Sequence, residues 1–395
     1  MARKNSNGQG CIYKKKVDNN GKCILWGANI MIGYNEEGKK KVKTLYGKTQ
    51  KEVTEKLEQY KRDMLLTSSN IDYDKLTLQD YYYTWLMNRK KTYKPNSFKD
   101  YESVYRNYIQ GSIIGKTLIK KLNQVTLNRY YNNLIEEDIT PQTIQRINTK
   151  LKACLSSAVK EDILIKNPCS FVELPKCTKL KKREVLTLEE QIKLCEYIKG
   201  HKLELLFLTA LGTGMRLGEL LGLKWQYVNF TDGTITVEET LQKTYVFDDN
   251  LNKSLQDVQQ TPKTENGVRV IPLPSSLVPK LKEQRKTQLE NRLKYGESYH
   301  ISDYVFTDEI GRTIDNKRPN RTLQAILKKL DINPIKFHGL RKTYATRLFE
   351  NGVPPKTVQT LLGHADIQTT LNIYTQVMEE EKYKAVDTLN SIFSF

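Results

Sequence analysis

Residues 338–374 read HGLRKTYATRLFENGVPPKTVQTLLGHADIQTTLNIY, and the rest of the chain can be worked outward from them. His338 and Arg341 are three apart, one helical turn, so both can face one pocket. Asn351-Gly352 and Pro354-Pro355 end that helix and start another. Val358, Leu361 and Leu362 are the inward positions of the second helix, which Gly363 ends. His364 follows at once, and Tyr374 comes ten residues later. A guanidinium, two imidazoles and a phenol gathered this way suit attack on a phosphodiester.

Each residue type has a chemical reason to be there. A free tyrosine has a pKa of about 10, so only ~1 in 1000 is phenolate at pH 7, and ionising it costs about 4 kcal/mol. Neighbouring arginines and a histidine reduce that cost or accept the proton. Guanidinium groups fork onto the non-bridging oxygens and stabilise the pentacovalent transition state. A second arginine is placed for this upstream. The apolar helix Leu203–Ala210 is broken at Gly212-Thr213-Gly214, and Arg216 opens another helix, where backbone N–H groups and a cation can share one anion.

The succession H-x-x-R, L-G-H, Tyr, together with TGMRLGELLGLKW at 213–225, resembles the tyrosine recombinase (integrase) family. The resemblance is specific over residues 180–395 and looser before them. It implies that Tyr374 is the nucleophile of a 3′-phosphotyrosine intermediate and that Arg216, Arg341 and His364 hold the phosphate. His338 is then a general base or an orienting group, and Glu219 braces the site. Gln260–Gly267 (QTPKTENG) resembles the family's β-turn lysine segment, so Lys263 is the expected acid for the departing 5′-oxygen, with Lys253 a weaker competitor. A phosphotyrosine link preserves the ester bond energy, so the expectation is a DNA strand-exchange transesterase with no cofactor, no metal and no ATP. Gln376 departs from the family, where many members carry a histidine after Tyr-Thr.

The composition agrees. Lys+Arg total 64 against 45 Asp+Glu, a net charge of +19, which favours a polyanionic partner. No apolar run approaches the ~20 residues of a membrane span, and no signal core follows the N-terminus, so a cytoplasmic, nucleoid-associated protein is expected. The six cysteines form no C-x-x-C pair and are read as reduced thiols. Gly33–Lys40 and Gly111–Thr117 fall short of phosphate-binding loops: the first lacks the Ser/Thr, the second is one residue short.

The expected fold is mainly α with small β-sheets, a multidomain α+β chain. Residues 1–66 carry 15 Lys+Arg against 7 Asp+Glu and read as strands Cys11–Lys16, Cys23–Gly33 and Lys41–Lys48. A helix capped by Thr49 follows, with the stripe Val53, Leu57, Tyr60 and Met64. This three-stranded sheet plus helix resembles an arm-type DNA-binding domain. Residues 77–175 read as a helical bundle, with starts at Thr77, Pro95, Thr126 and Thr140-Pro141 and the last helix ending at Asn167-Pro168. It resembles the core-binding, SAM-like domain of the family, half of a clamp on the duplex. Lys90, Lys91, Lys94, Lys99 and Lys150 are its candidate phosphate contacts. A basic linker at 175–186 leads to the catalytic domain, 184–395, opened by Thr187 with Glu190. That domain is expected to be mostly helical with one small antiparallel sheet (Thr234–Glu238, Lys243–Phe247, Val268–Leu273), the polar stretch Asp248–Gln259 being mobile. The stripe Tyr383, Val386, Leu389, Ile392, Phe393 packs in cis or on a neighbouring protomer.

The partners implied are double-stranded DNA (element ends and a target site), a homo-tetramer on that DNA and an accessory excision factor, with no membrane. The outcome implied is integration and excision of a mobile genetic element such as a conjugative transposon or prophage. The alternatives are a catalytically silent DNA-binding regulator, or the same chemistry used for chromosome resolution or DNA relaxation.

Overall fold

The computed structural model describes residues 11–17, 23–34, 40–66, 75–176, 184–248, 251–261 and 267–375. The chain divides into two units, residues 1–177 and 178–395. Lys263, Gln376 and the stripe from Tyr383 to Phe393 lie outside the described residues, as does the Met64 side chain.

The first unit begins with an antiparallel sheet in the order β1 (Cys11–Val17), β2 (Cys23–Tyr34), β3 (Lys40–Gly47), followed by α1 (Gln50–Leu66). Tyr13 pairs with Gly27, and a Cβ there would lie 2.8 Å from the Tyr13 ring, so the glycine lets the ring cross the strand. One face buries Ala28 and Ile30 against Val53 and Leu57 of α1. Elsewhere on the strands Lys15 Nζ sits 3.6 Å from the exposed Tyr46 ring, and Lys14 Nζ 5.9 Å from Trp26. Thr49 caps α1 as the spacing requires: its hydroxyl accepts from the Glu52 amide at 3.1 Å.

The bundle comprises α2 (Leu78–Asn88), α3 (Pro95–Val104) running into a π turn at Tyr105–Ile109, α4 (Ile113–Lys116), α5 (Gln124–Glu136) and α6 (Pro141–Lys160). Its core is rich in rings: Tyr82 stacks on Tyr105 at 5.7 Å, and Trp85 donates to Ser157 at 2.9 Å. Two boundaries differ from the sequence reading. The third helix starts after Asn123, not at Thr126, because the Asn123 amide oxygen accepts the Thr126 N–H at 3.0 Å. The last helix stops at Lys160, well before Asn167-Pro168, where Asp162 takes a left-handed φ of 56° and Asn167 instead caps the short turn Pro168–Ser170. Lys150 lies 4.2 Å from the Tyr101 ring centroid.

The second unit begins with α7 (Leu188–Tyr197), opened by a reciprocal capping box between Thr187 and Glu190. Helix α8 (Glu204–Thr213) is apolar nearly all round and packs on three other helices of the unit, as a buried helix must. It ends at Gly214, φ 62°, where a Cβ would meet the Tyr344 ring at 2.4 Å. Helix α9 (Leu217–Leu221) follows, then β4 (Val228–Asn229), β5 (Thr234–Val237), β6 (Thr240–Phe247), β7 (Lys253–Gln260) and β8 (Arg269–Pro272). The expected single sheet is two: β4-β5-β8, and a separate β6-β7 hairpin. Most of the stretch expected to be mobile is strand β7, paired from Lys253↔Phe247 to Gln260↔Thr240. It carries no alternating apolar signal because it is exposed at nearly every position; backbone pairing alone makes it a strand. Helices α10 (Leu277–Tyr295), α11 (Arg318–Lys329), α12 (His338–Glu350) and α13 (Pro355–Leu362) complete the unit, with residues 367–375 helical after them. The core runs from Leu186 through α8, β5, β8 and α11 to Leu340 at the start of α12. Among the described residues, no helix is long and apolar enough to cross a membrane.

Candidate active site

Three chain reversals bring the motif residues together. At the first, α8 stops at Gly214 and the chain runs extended through Arg216 (φ −70°, ψ 151°) into α9. Arg216 Nη1 donates to Glu219 at 2.7 Å and its Nη2 to the Gly363 carbonyl at 3.4 Å, while 40% of the side chain stays exposed. One edge of the guanidinium is thus anchored and the rest is accessible.

At the second, α12 starts with His338 and carries Arg341 one turn on. Arg341 is only 2% exposed. Its Nη1 donates to the Gly214 carbonyl at 2.8 Å, its Nη2 to the Leu362 carbonyl, and its Nε is buried with no partner among the described residues. Among the described residues, no carboxylate hydrogen-bonds it. Burial and the Arg216 cation therefore pull its guanidinium below the ordinary arginine range. A buried cation without a carboxylate on its donors is a candidate receptor for an anion. His338 is exposed at the rim, yet crowding by the protein and the cations Arg341, Lys342 and Arg216 lower its pKa, opposed by Glu184.

The third reversal is Gly363, φ 64°, which ends α13 and delivers His364. Burial, then Arg341 and Arg216, push the His364 pKa down to about 4, so the ring is neutral at pH 7. Between the first two reversals lies a pocket of about 230 Å³, lined by Arg216, Asn320, Lys336, His338 and Arg341 on an apolar floor. The space and the donors suit one phosphodiester group.

Glu219 is the hinge of the cluster. It is 2% exposed, and burial alone would raise its pKa; hydrogen bonds and charge from Arg269 and Arg216 more than reverse that and hold it below the usual carboxylate range. Arg269 was not anticipated from the sequence. Its Nη1 and Nη2 fork onto the two Glu219 oxygens at 3.2 and 2.8 Å, with its side chain 4% exposed. A signal existed: Arg269 and the fully buried Ile271 are two apart on β8 and share its inward face, and a cation there requires a buried acid.

Arg216, Glu219, His338, Arg341 and His364 are therefore brought together. Tyr374 lies in a neighbouring apolar cluster: it packs against the group Ala345, Phe349, Val358 and Leu362, its ring 5.1 Å from Phe349 at 75°, and its hydroxyl makes no hydrogen bond among the described residues. Leu362 joins the two regions, its carbonyl on Arg341 and its side chain in the Tyr374 cluster. Lys253 lies at the tip of the β6-β7 hairpin, 5.2 Å from the Tyr245 ring. His201 has a structural partner, its Nδ1 accepting from the Leu203 amide at 3.0 Å.

The profile of the phage integrase family matches residues 179–381, and that of the phage integrase N-terminal SAM-like domain matches residues 77–135. A tyrosine recombinase XerC-like protein of Caldanaerobacter subterraneus subsp. tengcongensis is 41% identical over 374 residues, covering 92% of this chain and 95% of that protein. The ICEBs1 integrase of Bacillus subtilis is 26% identical over 302 residues, 76% of this chain and 78% of its own. Among solved structures, the Tn1549 transposon integrase in complex with transposon right end DNA superposes with a TM-score of 0.65 at 22% identity, covering 78% of this chain and 100% of that one. A lambda integrase tetramer bound to a Holliday junction gives 0.54 at 18% identity, covering 92% and 94%.

Proposed function

This chain belongs to the phage integrase family of tyrosine recombinases, which cleave and rejoin DNA strands, and on that premise we propose that it integrates and excises a mobile genetic element. The observation that carries the chemistry is the pocket where Arg216, Arg341 and His338 meet with Glu219 and His364 behind them. In this reading Arg216 and Arg341 fork onto the non-bridging oxygens of the scissile phosphate and neutral His364 donates to one of them. The Tyr374 oxygen forms the new bond to phosphorus, its proton passing to His338. The bond to the 5′-oxygen breaks, and Lys263 protonates that oxygen. Reversing these steps on a partner strand reseals the DNA without ATP, because the ester bond count is unchanged.

The division into residues 1–66, 77–175 and 184–395 serves a distal DNA site, a clamp on the duplex and the chemistry respectively. The lysine–aromatic pairs on the N-terminal sheet support the first assignment. Double-stranded DNA, with a tetramer of this chain assembled on two duplexes and an accessory excision factor, completes the reading; the relatives named for a transposon and for ICEBs1 support it. Chromosome resolution is the second reading, favoured by the 41% identity to a XerC-like protein; that basic N-terminal sheet weighs against it.

The experiment is covalent trapping on nicked DNA bearing the element end, with chelator present. The expected result is a denaturant-stable protein–DNA adduct that Tyr374→Phe abolishes while DNA binding persists. An adduct that survives Tyr374→Phe assigns the nucleophile elsewhere. Element ends that trap no better than chromosomal resolution sites overturn the mobile-element reading.

A further inference from the structure

The pocket that receives the phosphate holds one more cation than the reading above uses. Lys336 lines it beside Arg216, His338 and Arg341, and none of the lining residues is a carboxylate. The backbone under Lys336 is pinned. Its carbonyl accepts the Gly339 amide at 2.7 Å in the turn that opens α12, and the amide of the buried Phe337 donates to Asn320 Oδ1 at 2.9 Å. The side chain has no such anchor: it is exposed, and its ammonium makes no hydrogen bond or ion pair among the described residues. An acid that feels its charge, Glu184, is already occupied. Lys342 bonds that carboxylate and, ahead of His338 and Lys336, holds it below the usual carboxylate range.

We propose that Lys336 is a further catalytic residue, whose ammonium contacts a non-bridging oxygen of the scissile phosphate and stabilises the charge that builds there in the transition state. The proposal rests on the strand-transfer reading above. A phosphodiester carries one negative charge, and attack by the deprotonated tyrosine oxygen brings a second onto the phosphoryl group. Arg216 already shares its charge with Glu219, bonded at 2.7 Å. Arg341 has donors committed to the Gly214 and Leu362 carbonyls. Lys336 brings an ammonium with three uncommitted donors. A compact charge on a four-carbon stem can follow the oxygen as phosphorus takes its fifth ligand, while the two guanidinium groups are held by their partners. A contact that strengthens in this way lowers the barrier instead of only tightening binding.

A contact to the scissile phosphate and a contact elsewhere on DNA differ in one readout. A methylphosphonate at the scissile position carries a methyl group in place of one non-bridging oxygen and has no charge, so its transition state needs less cationic help. Loss of a cation that acts on the scissile phosphate is relieved on that substrate. Loss of a cation that holds a flanking phosphate, or that supports the fold, is not.

Single-turnover adduct formation is measured for the unsubstituted protein and for Lys336→Met, with Lys336→Gln as a second neutral variant. The duplexes differ only at the scissile group: phosphodiester, methylphosphonate, and a phosphodiester with sulfur as the bridging 5′ atom. Both variants should melt with the parent and bind DNA within about threefold of it, because one of many contacts is lost. They are expected to cleave the phosphodiester about 10²-fold more slowly, the effect of losing one donor to the developing charge, and the methylphosphonate within about threefold of the parent rate. A parent-like rate on the phosphodiester, or equal losses on phosphodiester and methylphosphonate, overturns the proposal. Relief by sulfur and not by the methylphosphonate overturns it too: a thiolate, with a conjugate-acid pKa of about 8.5, leaves without a proton, and Lys336 would then be the acid. If the unsubstituted protein forms no adduct on any of the three, the strand-transfer reading falls and the proposal with it. If it does and the methylphosphonate comparison fails, only the role of Lys336 falls.

Discussion

The Nδ1 of His364 lies 2.8 Å from the Oγ1 of Thr370, and Thr370 is fully buried. The His364 backbone is held as well: its amide donates to the Gln359 carbonyl at 3.2 Å, and its carbonyl accepts from Gln359 Nε2 at 3.0 Å. When Nδ1 accepts from the threonine hydroxyl, the neutral ring carries its proton on Nε2 and can donate it. Thr370→Val, which removes the hydroxyl, is expected to slow adduct formation about tenfold or more with DNA affinity unchanged. Thr370→Ser should keep the rate. Single-turnover trapping checks both, and a parent-like rate for Thr370→Val removes the tautomer argument.

Acid should weaken the fold through the same ring. The folded His364 pKa is about 4 against an ordinary value near 6.5, and His338 is shifted in the same direction. The unfolded chain then binds more protons than the native one between those values, so stability is fully present above about pH 6.5 and falls as the pH drops toward 4. Denaturant midpoints measured from pH 7 to pH 5 should decline, and less steeply in His364→Gln. An equal or steeper decline in that variant contradicts the assignment.

Arg341 should make the protein an anion receptor. It is buried with carbonyl partners and an Nε that has no partner among the described residues. Sulfate or a short DNA duplex, binding the native state alone, is expected to raise the melting temperature, by about 2.7 kcal/mol equivalent at a hundred times its dissociation constant. Arg341→Met should lose most of the sulfate response. An undiminished response would place the anion elsewhere.

Glu219→Gln should be among the more damaging single changes. It leaves the Arg269 cation buried, with its carboxylate partner gone, an imbalance that costs about 3–5 kcal/mol. The double variant with Arg269→Gln should recover part of the loss. Chemical denaturation of the three variants gives the coupling energy, and an additive double variant would mean the two side chains do not depend on each other.

Much was legible in the sequence because its signals are local. The strands of the first sheet and helix α1 lie where turn residues and the Thr49 cap put them. Caps at Thr77, Thr140 and Thr187 mark helix starts correctly, because a cap is decided within four residues. At the third helix of the bundle the sequence reading puts the start at Thr126, and only the folded chain shows that Asn123, three residues earlier, is the cap. The motif also sorted the residues that meet: Arg216, Glu219, His338, Arg341 and His364 share one neighbourhood although 148 positions separate the first from the last.

Tertiary structure alone decided the rest. Strand β7 has no apolar alternation, so its pairing with β6 is invisible until the backbone partners are known. Arg269 and Glu219 are 50 residues apart on different elements; the strand pattern says that Arg269 needs a buried acid but not which one. What joins them is the packing that brings β8 beside the Arg216 turn and removes water from both charges, after which each is neutralised by a buried neighbour. The sequence by itself determined which residues would meet at the pocket and which helices would present them. The arrangement of those elements determined which charge each one answers, because desolvation is a property of the assembled core and is absent from any short stretch of chain.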